Sequence, residues 1–236
     1  MSGETTPDES ALVEELVAHF AANQKIFNRV ASSLVTLFTE NDQLPKLIHS
    51  VKSRVKDPSH LRDKLHRKLA KCKTDGSLFE ITTENLFQRV NDLAGIRLLH
   101  LHTSQIVTID KALKELLDHE MYEIVEGPFA RTWDDEYRQF FETNGIKPEA
   151  SQSLYTSVHY VVQPSQRTKC TAEIQVRTLA EELWGEVAHS INYPHPTGSL
   201  ACQEEIKVLA RITSSCTRLV DAIYKSRDEH ETFKKR

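Results

Sequence analysis

The fold is decided by the stretch TAEIQVRT, residues 171–178, in which apolar and polar side chains alternate. Alternation with a period of two predicts a β-strand whose two faces have different surroundings. The apolar side chains lie on one face, and the other face carries Glu173, Gln175 and Arg177. Three large polar groups on one face of a half-buried strand favour a ligand site, with a solvent-facing edge strand as the alternative.

Two further stretches predict strands of the same sheet. One is IRLLHL, residues 96–101, and the other is YTSVHYVV, residues 155–162. The first is a buried apolar run that includes Arg97, which therefore faces the opposite side of the sheet or needs an anionic partner. The second places on one face Tyr155, Ser157 and His159.

Helices are predicted around these strands from the helical spacing of apolar residues. The predicted helices cover residues 11–38, 44–51, 58–71, 106–119, 179–191 and 202–224, a short strand covers 122–125, and residues 133–150 are polar and predict an irregular segment. This order predicts an α+β fold, a mixed sheet flanked by helices. The predicted division is a helical extension over 1–50, a central domain over 51–200, and a C-terminal helix with a charged tail over 201–236.

Composition excludes several classes of protein. The 236 residues are 39% hydrophobic and 27% charged, which is typical of a globular chain, and the net charge of −4 argues against a general nucleic-acid coat. Neither a P-loop nor a Rossmann glycine motif is present, so side chains would have to hold any nucleotide phosphates. Without an 18-residue apolar run or a signal sequence, we expect a cytoplasmic protein with no membrane partner. Its four cysteines are scattered, which predicts a reduced protein.

A cluster of cations surrounds the start of one predicted helix, near Pro58. The cluster and its polar neighbour are Arg54, Lys56, Ser59, Arg62 and Lys64. Cations and the free N–H groups of a helix start attract anions, and an arginine plane can stack on a base. For a cluster considered alone, a solvated charged helix is the stronger interpretation.

A second motif, DLAGIR, begins at Asp92 and ends at Arg97. An internal ion pair between these two residues is one interpretation. The other is that Asp92 and Glu173, two hard oxygen ligands near cations, share Mg²⁺ with a nucleotide. His100 and His102 share a strand face, but no third residue has zinc-ligand spacing, so we expect no zinc site.

Taken in order, the motifs resemble the synthetase domain of the RelA/SpoT family, most closely the small, single-domain alarmone synthetases. The motifs are RxKxxS from Arg54, DxxGxR from Asp92, YxSxH from Tyr155 and ExQxRT from Glu173, followed by Trp184, His189 and Tyr193. The resemblance covers residues 51–193 and implies a nucleotidyltransferase-like fold. It also implies transfer of the β,γ-pyrophosphate of ATP to the 3′-hydroxyl of GDP or GTP, which gives (p)ppGpp and AMP.

The resemblance implies a role for each motif residue. On the ATP side, adenine lies between Arg54 and Arg97, and the phosphates are held by Lys56, Ser59 and Lys64. Asp92 binds Mg²⁺, and Glu173 shares that ion or takes the proton of the attacking hydroxyl. On the acceptor side, Tyr155 stacks on guanine, and the phosphates and ribose are surrounded by His159, Gln175 and Arg177.

Two further positions, Leu154 and Glu182, lie close in sequence to the motifs of the expected acceptor site. Leu154 stands where the family usually has glycine, and leucine resists a positive φ angle, which affects the conformation of the acceptor loop. Glu182 lies about one helical turn beyond Thr178, and its carboxylate could accept from the N–H groups that guanine has and adenine lacks. A solvent-exposed helix glutamate is the alternative. Trp184, at helical spacing, is expected in the core.

Two other functions stay open. A toxin-type relative would use the same ATP motifs to modify the 3′ end of tRNA or an adenine nucleotide, and a basic track for tRNA could come from Lys68, Lys71 and Lys73. The net charge favours a nucleotide acceptor. An inactive nucleotide-binding module is the weaker alternative, because Asp92 and Glu173 are both present. The amphipathic outer helices allow a homo-oligomer, a dimer or tetramer, or else cover the sheet of a monomer.

Overall fold

The structure, a computed structural model, describes residues 7–151, 154–164, 169–193 and 196–234. Its helices are α1 (Pro7–Glu40), α2 (Leu44–Leu47), α3 (Pro58–Asp75), α4 (Leu86–Arg89), α5 (Gln105–His119), α6 (Asp135–Thr143), α7 (Leu179–Asn192) and α8 (Leu200–Lys234). Its strands are β1 (Ser50–Val55), β2 (Ala94–His100), β3 (Glu123–Thr132), β4 (Lys147–Ala150), β5 (Ser157–Gln163) and β6 (Ala172–Thr178). The predicted α+β class is confirmed.

The six strands form one mixed sheet in the order β1-β2-β6-β5-β3-β4. The pairs β2–β6 and β3–β4 are parallel, and the other neighbours are antiparallel. One row of cross-strand partners runs across the whole sheet: Lys52, Arg97, Gln175, His159, Phe129 and Lys147. Because facing residues in a register row share one face, three of the residues singled out above stand on the same side of the sheet: Arg97, Gln175 and His159.

The other face of the sheet carries the hydrophobic core. Ile96 and Leu98 of β2, Ile174 of β6 and Tyr160 of β5 are almost completely buried. They belong to the same core cluster as the apolar residues of α1 and α5. Burying one such side chain contributes about 1.5–3 kcal/mol, so this core fixes which face of each strand is left for polar groups.

The two long terminal helices differ in how they use their apolar residues. Helix α1 buries its apolar stripe, including Leu16, Phe20 and Phe27, in the core cluster of the sheet. Helix α8 packs against α7 but leaves exposed Val208, Ile212, Leu219 and Ile223. The division of the chain at residues 50 and 200 and the homo-oligomer stay predictions.

Several element boundaries correct the sequence predictions. The helix predicted over 44–51 is wrong beyond Leu47, because residues 50–55 form the edge strand β1. The segment 133–150 is not irregular: Asp134 caps α6 by accepting from the N–H groups of Glu136 and Tyr137, and β4 follows. Helix α8 runs ten residues past the predicted end, to Lys234.

Other predictions about local structure are confirmed or lie outside the described residues. Asp57 caps α3, with Pro58 in its first turn, and Gly76 ends that helix at a φ of 67°. The sequence also predicts turns around residues 164–166 and 194–198, which include residues 165, 166, 194 and 195, outside the described part of the chain. None of the described helices is long and apolar enough to cross a membrane.

Candidate active site

A cavity of about 110 Å³ opens on the polar face of the sheet, over β1, β2 and β6. It is lined by Lys52, Ser53, Arg54, Asp92, Gly95, Ile96, Arg97, Glu173 and Gln175. The structure therefore brings together both carboxylates and both adenine-stacking arginines that the motifs predicted. We call this space the donor cavity.

Asp92, just before β2, lies between two lysines from different elements. Lys56 Nζ, in the loop after β1, is 2.9 Å from Asp92 Oδ2, and Lys64 Nζ, on α3, is 2.7 Å from Asp92 Oδ1. Burial would raise the pKa of Asp92, but Lys64 and Lys56 outweigh burial and hold that pKa below its usual value. Asp92 is therefore a carboxylate at neutral pH, with both lysines beside the donor cavity.

The two arginines predicted to hold adenine stand on neighbouring strands. Arg54 faces Gly95 across the β1–β2 pair, and its side chain passes over that glycine, since a Cβ there would lie 3.8 Å from Arg54 Cγ. Arg97 lies two pairs along the same strands, on the same face, opposite Lys52. Ser59 does not line this cavity: its hydroxyl, at the exposed start of α3, donates to Asp57 Oδ1 at 2.5 Å.

An aromatic cluster links α3 to the end of α7 near the donor cavity. Tyr193 stacks on His189 with ring centroids 4.6 Å apart, meets His60 edge-on at 4.5 Å, and donates to Asp63 Oδ2 at 3.3 Å. Burial lowers the pKa of His189, and the charge of Arg54 lowers it further. His189 is therefore within electrostatic range of Arg54, one of the residues lining the donor cavity.

Glu173, in β6, lies at the junction between the donor cavity and a group of polar residues on β5. His159 Nδ1 is 2.8 Å from Glu173 Oε1, and Gln175 Nε2 donates to Glu173 Oε2 at 2.9 Å. Burial would raise the pKa of Glu173, but the hydrogen bond and charge of His159 outweigh burial and lower it. Glu173 is therefore ionised at neutral pH.

The other nitrogen of His159 meets two hydroxyls. His159 Nε2 is 2.6 Å from Tyr155 Oη and 2.5 Å from Ser157 Oγ, which in turn contacts the tyrosine hydroxyl. Burial raises the pKa of Tyr155 to about 12, so the phenol keeps its proton. The Tyr155 ring stacks at 6.3 Å against Trp184, and the Arg177 guanidinium lies 5.9 Å from its centroid. We call the five residues Tyr155, Ser157, His159, Arg177 and Trp184 the acceptor platform.

Glu182, on α7, is buried and binds cations from three strands. Its Oε1 is 2.9 Å from Lys52 Nζ and 3.1 Å from Arg97 Nη1, and its Oε2 contacts Arg177 Nη2. Arg97 also reaches Glu186 Oε1 at 2.5 Å. The interpretation of Glu182 as a solvent-exposed glutamate is therefore wrong. The proposed ion pair between Asp92 and Arg97 is also wrong, because Arg97 turns towards α7.

Two glycines make room for these side chains. A Cβ at Gly185, in the middle of α7, would lie 2.9 Å from Arg177 Nη1, so a side chain there would displace the end of the Arg177 guanidinium. Gly127, at a φ of 91°, sits where β3 approaches the backbone carbonyl of His159, and a Cβ there would lie 2.5 Å from that oxygen. Glycine is favoured at such close approaches and at positive φ.

Some contributors to the site lack a predictive sequence signal of their own. Lys52 and Glu186 stand among many charged residues, and only their partners in the fold distinguish them. Trp184 packs as expected: it is 8% exposed, and its Nε1 donates to the carbonyl of Ile206 on α8.

The carboxylate oxygens that line the donor cavity suit a metal ion shared with a substrate. Among the described residues, no group of three or more His, Cys, Asp or Glu side chains could hold a metal ion. His100 Nδ1 instead lies 3.0 Å from the carbonyl oxygen of His102. Two ionised carboxylates, Asp92 and Glu173, line one cavity, and Mg²⁺ is commonly held by one or two carboxylates together with substrate phosphates.

The fold and the site together define a nucleotide-using transferase: cations and two carboxylates line one cavity, and an aromatic platform lies beside it. Residues 53–198 match the RelA_SpoT family, described as a region found in RelA / SpoT proteins. The chain therefore belongs to the RelA/SpoT family, as its motifs predicted.

Relatives and a solved structure agree with that assignment. The chain is 30% identical over 196 residues to GTP pyrophosphokinase YjbM of Bacillus subtilis, covering 80% of this chain and 76% of that protein. It is 29% identical over 175 residues to GTP pyrophosphokinase YwaC of the same organism, covering 71% and 72%. The fold is similar to a GTP pyrophosphokinase family protein from Streptococcus pneumoniae, with a TM-score of 0.67, 20% identity, and 91% and 97% coverage.

Proposed function

We propose that this protein is an alarmone synthetase that transfers pyrophosphate from ATP to the 3′-hydroxyl of GDP or GTP. The observation that carries the proposal is the position of Glu173, which lines the donor cavity and binds His159 of the acceptor platform. In this proposal, one carboxylate borders both substrates, where the attacking oxygen would meet the β-phosphorus. The family assignment and the names of the relatives support the same reaction.

The proposed reaction forms one P–O bond, breaks another and moves one proton. The ribose 3′-oxygen attacks the β-phosphorus of ATP, a new P–O bond forms, and the bond from the β-phosphorus to the oxygen bridging to the α-phosphorus breaks. AMP leaves with that oxygen, and the hydroxyl proton passes to Glu173. Phosphoryl-type transfer needs in-line positioning and neutralisation of charge more than covalent chemistry, which suits a site built from cations without a glycine loop.

The chain's residues divide between the two substrates. Arg54 and Arg97 bind adenine, and the ATP phosphates are held by Lys56, Lys64 and Ser59. Lys56 and Lys64 are within hydrogen-bond distance of Asp92, which lines the donor cavity. In this proposal they are therefore beside the bound phosphates. Ser59 contributes only if its hydroxyl turns away from Asp57, to which it donates in this structure.

On the acceptor side, Tyr155 stacks on the purine, and three polar residues surround its ribose and phosphates: His159, Gln175 and Arg177. Glu182 acts on the acceptor through Arg177, which it binds directly. Because Glu182 also binds Arg97, it connects the donor cavity and the acceptor platform through one carboxylate. A direct contact between Glu182 and guanine would require one of its oxygens to leave a cation.

Mg²⁺ is the cofactor that fits the two carboxylates. Asp92 and Glu173 would hold it, and it would neutralise charge on the ATP phosphates. Both carboxylates have lowered pKa values, so both are ionised and able to bind a cation at neutral pH. The cytoplasmic location expected from the sequence stays a prediction.

The tRNA-modifying alternative has less support. Of the three lysines predicted as a basic track, Lys73 Nζ lies 2.7 Å from Glu9 Oε2 on α1. Lys68 and Lys71 line a separate groove beside α3 together with Asp75 and Glu80. A track for an RNA backbone needs an uninterrupted positive surface, and these acidic neighbours interrupt it.

The test is to separate the products formed from ATP and GDP with Mg²⁺ by anion-exchange chromatography. Pyrophosphate transfer predicts equal amounts of AMP and of a guanosine tetraphosphate. Formation of ADP in place of AMP would show transfer of a single phosphate and would contradict the proposal.

A further inference from the structure

Glu181 is a buried carboxyl group that the proposed reaction does not use. It stands in the first turn of α7, with 3% of its surface exposed, and its N–H donates to the N-cap side chain of Thr178 at 3.2 Å. In the usual capping box, a glutamate at this position returns to the N–H of the N-cap residue. Here Glu181 Oε2 instead accepts from the backbone N–H of Thr156 at 3.2 Å.

This contact ties α7 to the segment that carries the acceptor platform. Thr156 lies between Tyr155 and Ser157, both of which contact His159. Its side chain is held as well, since Thr156 Oγ1 is 2.9 Å from Thr132 Oγ1 at the end of β3. The backbone next to the platform ring thus has two anchors, one from a carboxyl group and one from a neutral hydroxyl.

We propose that Glu181 is a positioning residue for the acceptor: by holding the Thr156 N–H, its carboxylate sets where the Tyr155 ring stands to receive the purine base. The inference deepens the proposed function and rests on it. Glu181 does not touch either substrate, so its effect should fall on acceptor binding and leave ATP binding unchanged.

The surroundings of Glu181 make this anchor depend on pH. Burial raises the pKa of Glu181 to about 7, although the Thr156 N–H and Arg177 act in the opposite direction and Asp134 adds to the rise. A hydrogen bond to an ionised acceptor is about twice as strong as a neutral one. Protonation of Glu181 therefore weakens the hold on Thr156.

Other charged or titratable groups face Glu181 from the neighbouring elements. Burial raises the pKa of Tyr137, on α6, to about 12 and lowers that of His100, on β2, to about 4, so both stay neutral near pH 7. Arg177, on β6, stays charged, and Asp134 is 2.5 Å from Arg218 of α8. Glu181 itself, with a pKa of about 7, changes charge near neutrality.

The experiment compares KM values for GDP and for ATP between wild type and Glu181→Gln from about pH 5.5 to 8.5. The amide keeps the size of the side chain but stays neutral, like the protonated acid. The ratio of the GDP KM values, variant to wild type, should rise from near one at low pH to about 3–10 above pH 8, with a midpoint near 7. Comparing the two proteins at each pH cancels the ionisation of GDP itself.

Two control variants separate positioning from a general effect. Thr132→Val removes the neutral anchor of Thr156, so it should raise the GDP KM by a factor that does not change with pH. Glu205→Gln, on the exposed side of α8, should leave both KM values unchanged. The KM for ATP should be the same in wild type and Glu181→Gln at every pH.

A GDP KM ratio that does not vary with pH would overturn the inference, as would a parallel change in the ATP KM. If Glu181→Gln does not fold, Glu181→Leu places an apolar side chain in the same buried site, and its GDP KM ratio should rise over the same pH range from a value above one, because leucine accepts no hydrogen bond from Thr156. Loss of folding in both variants would make Glu181 purely structural and would also overturn it. Failure of the proposed function looks different, because wild type would then form no product from GDP.

Discussion

His159 Nδ1 lies 2.8 Å from Glu173 Oε1, and this hydrogen bond joins the donor cavity to the acceptor platform. It holds Glu173 ionised and directs one of its oxygens towards β5, while the other accepts from Gln175. A carboxylate fixed in this way cannot turn away from the junction without leaving two partners. In the proposed reaction, the acceptor hydroxyl would therefore meet a carboxylate whose position is set before either nucleotide binds.

Glu173→Gln removes the negative charge and keeps the shape of the side chain. We expect kcat to fall by a factor of at least ~10², with little change in nucleotide binding, because the group acts mainly in the transition state. The measurement is steady-state kinetics together with calorimetric binding of ATP and GDP. Glu123→Gln, exposed on β3, is the matched control, and near-normal turnover in Glu173→Gln would remove Glu173 from the reaction.

Arg54→Lys keeps the cation but removes the guanidinium plane that we propose stacks on adenine. The KM for ATP should rise, and the KM for the acceptor should change little, when each is measured at saturating concentration of the other substrate. Arg211→Lys, on the exposed surface of α8, should behave as wild type. An unchanged ATP KM would mean that Arg54 is a surface charge.

Glu182→Gln leaves Lys52, Arg97 and Arg177 without their shared carboxylate. Since these cations border both substrates, kcat/KM should fall for ATP and, to similar extents, for GDP and ADP as acceptors. The measurement is kcat/KM for each nucleotide in wild type and variant. A loss confined to GDP would instead place the carboxylate against the guanine edge and would contradict the account of Glu182 as a shared anchor.

Alternation and helical spacing were enough to predict the α+β class, the central strands and the polar face of β6. The sequence did not predict strand β1, SVKSRV, because it is an edge strand with exposed charged residues and no alternation of buried and exposed side chains. The start of helix α3 also follows it closely. Strand β4 has four residues, one of them Pro148, and therefore too little pattern to detect.

The sequence predicted which residues form the candidate site better than it predicted which of them contact one another. The motifs named Glu173, His159 and Asp92, but the sequence cannot show which partners a charged side chain finds across separate strands. Glu181 and Glu182 are adjacent and chemically identical, and both are buried by the packing of α7 on the sheet. Only the fold determines that one binds three cations and the other a backbone N–H.

The raised pKa of Glu181 predicts how folding stability depends on pH. An acid whose pKa rises on folding, here from 4.5 to about 7, binds its proton more tightly in the folded chain. The contribution of protonated Glu181 to the free energy of unfolding is complete below pH 4.5, and it is lost as the pH rises through 7. Thermal unfolding should therefore show Glu181→Gln gaining Tm relative to wild type between these values. A constant Tm difference across the interval would contradict the raised pKa.

The transfer of pyrophosphate to a guanine nucleotide is tested most directly with γ-labelled ATP. The purified protein is incubated with Mg²⁺ and with GDP, GTP, ADP or tRNA as separate acceptors, and the label is followed into each. We expect strong labelling of GDP and GTP as their 3′-pyrophosphates, with unlabelled AMP released, and much weaker labelling of ADP and tRNA. Robust labelling of tRNA with no labelled guanine nucleotide would contradict the assignment of the acceptor.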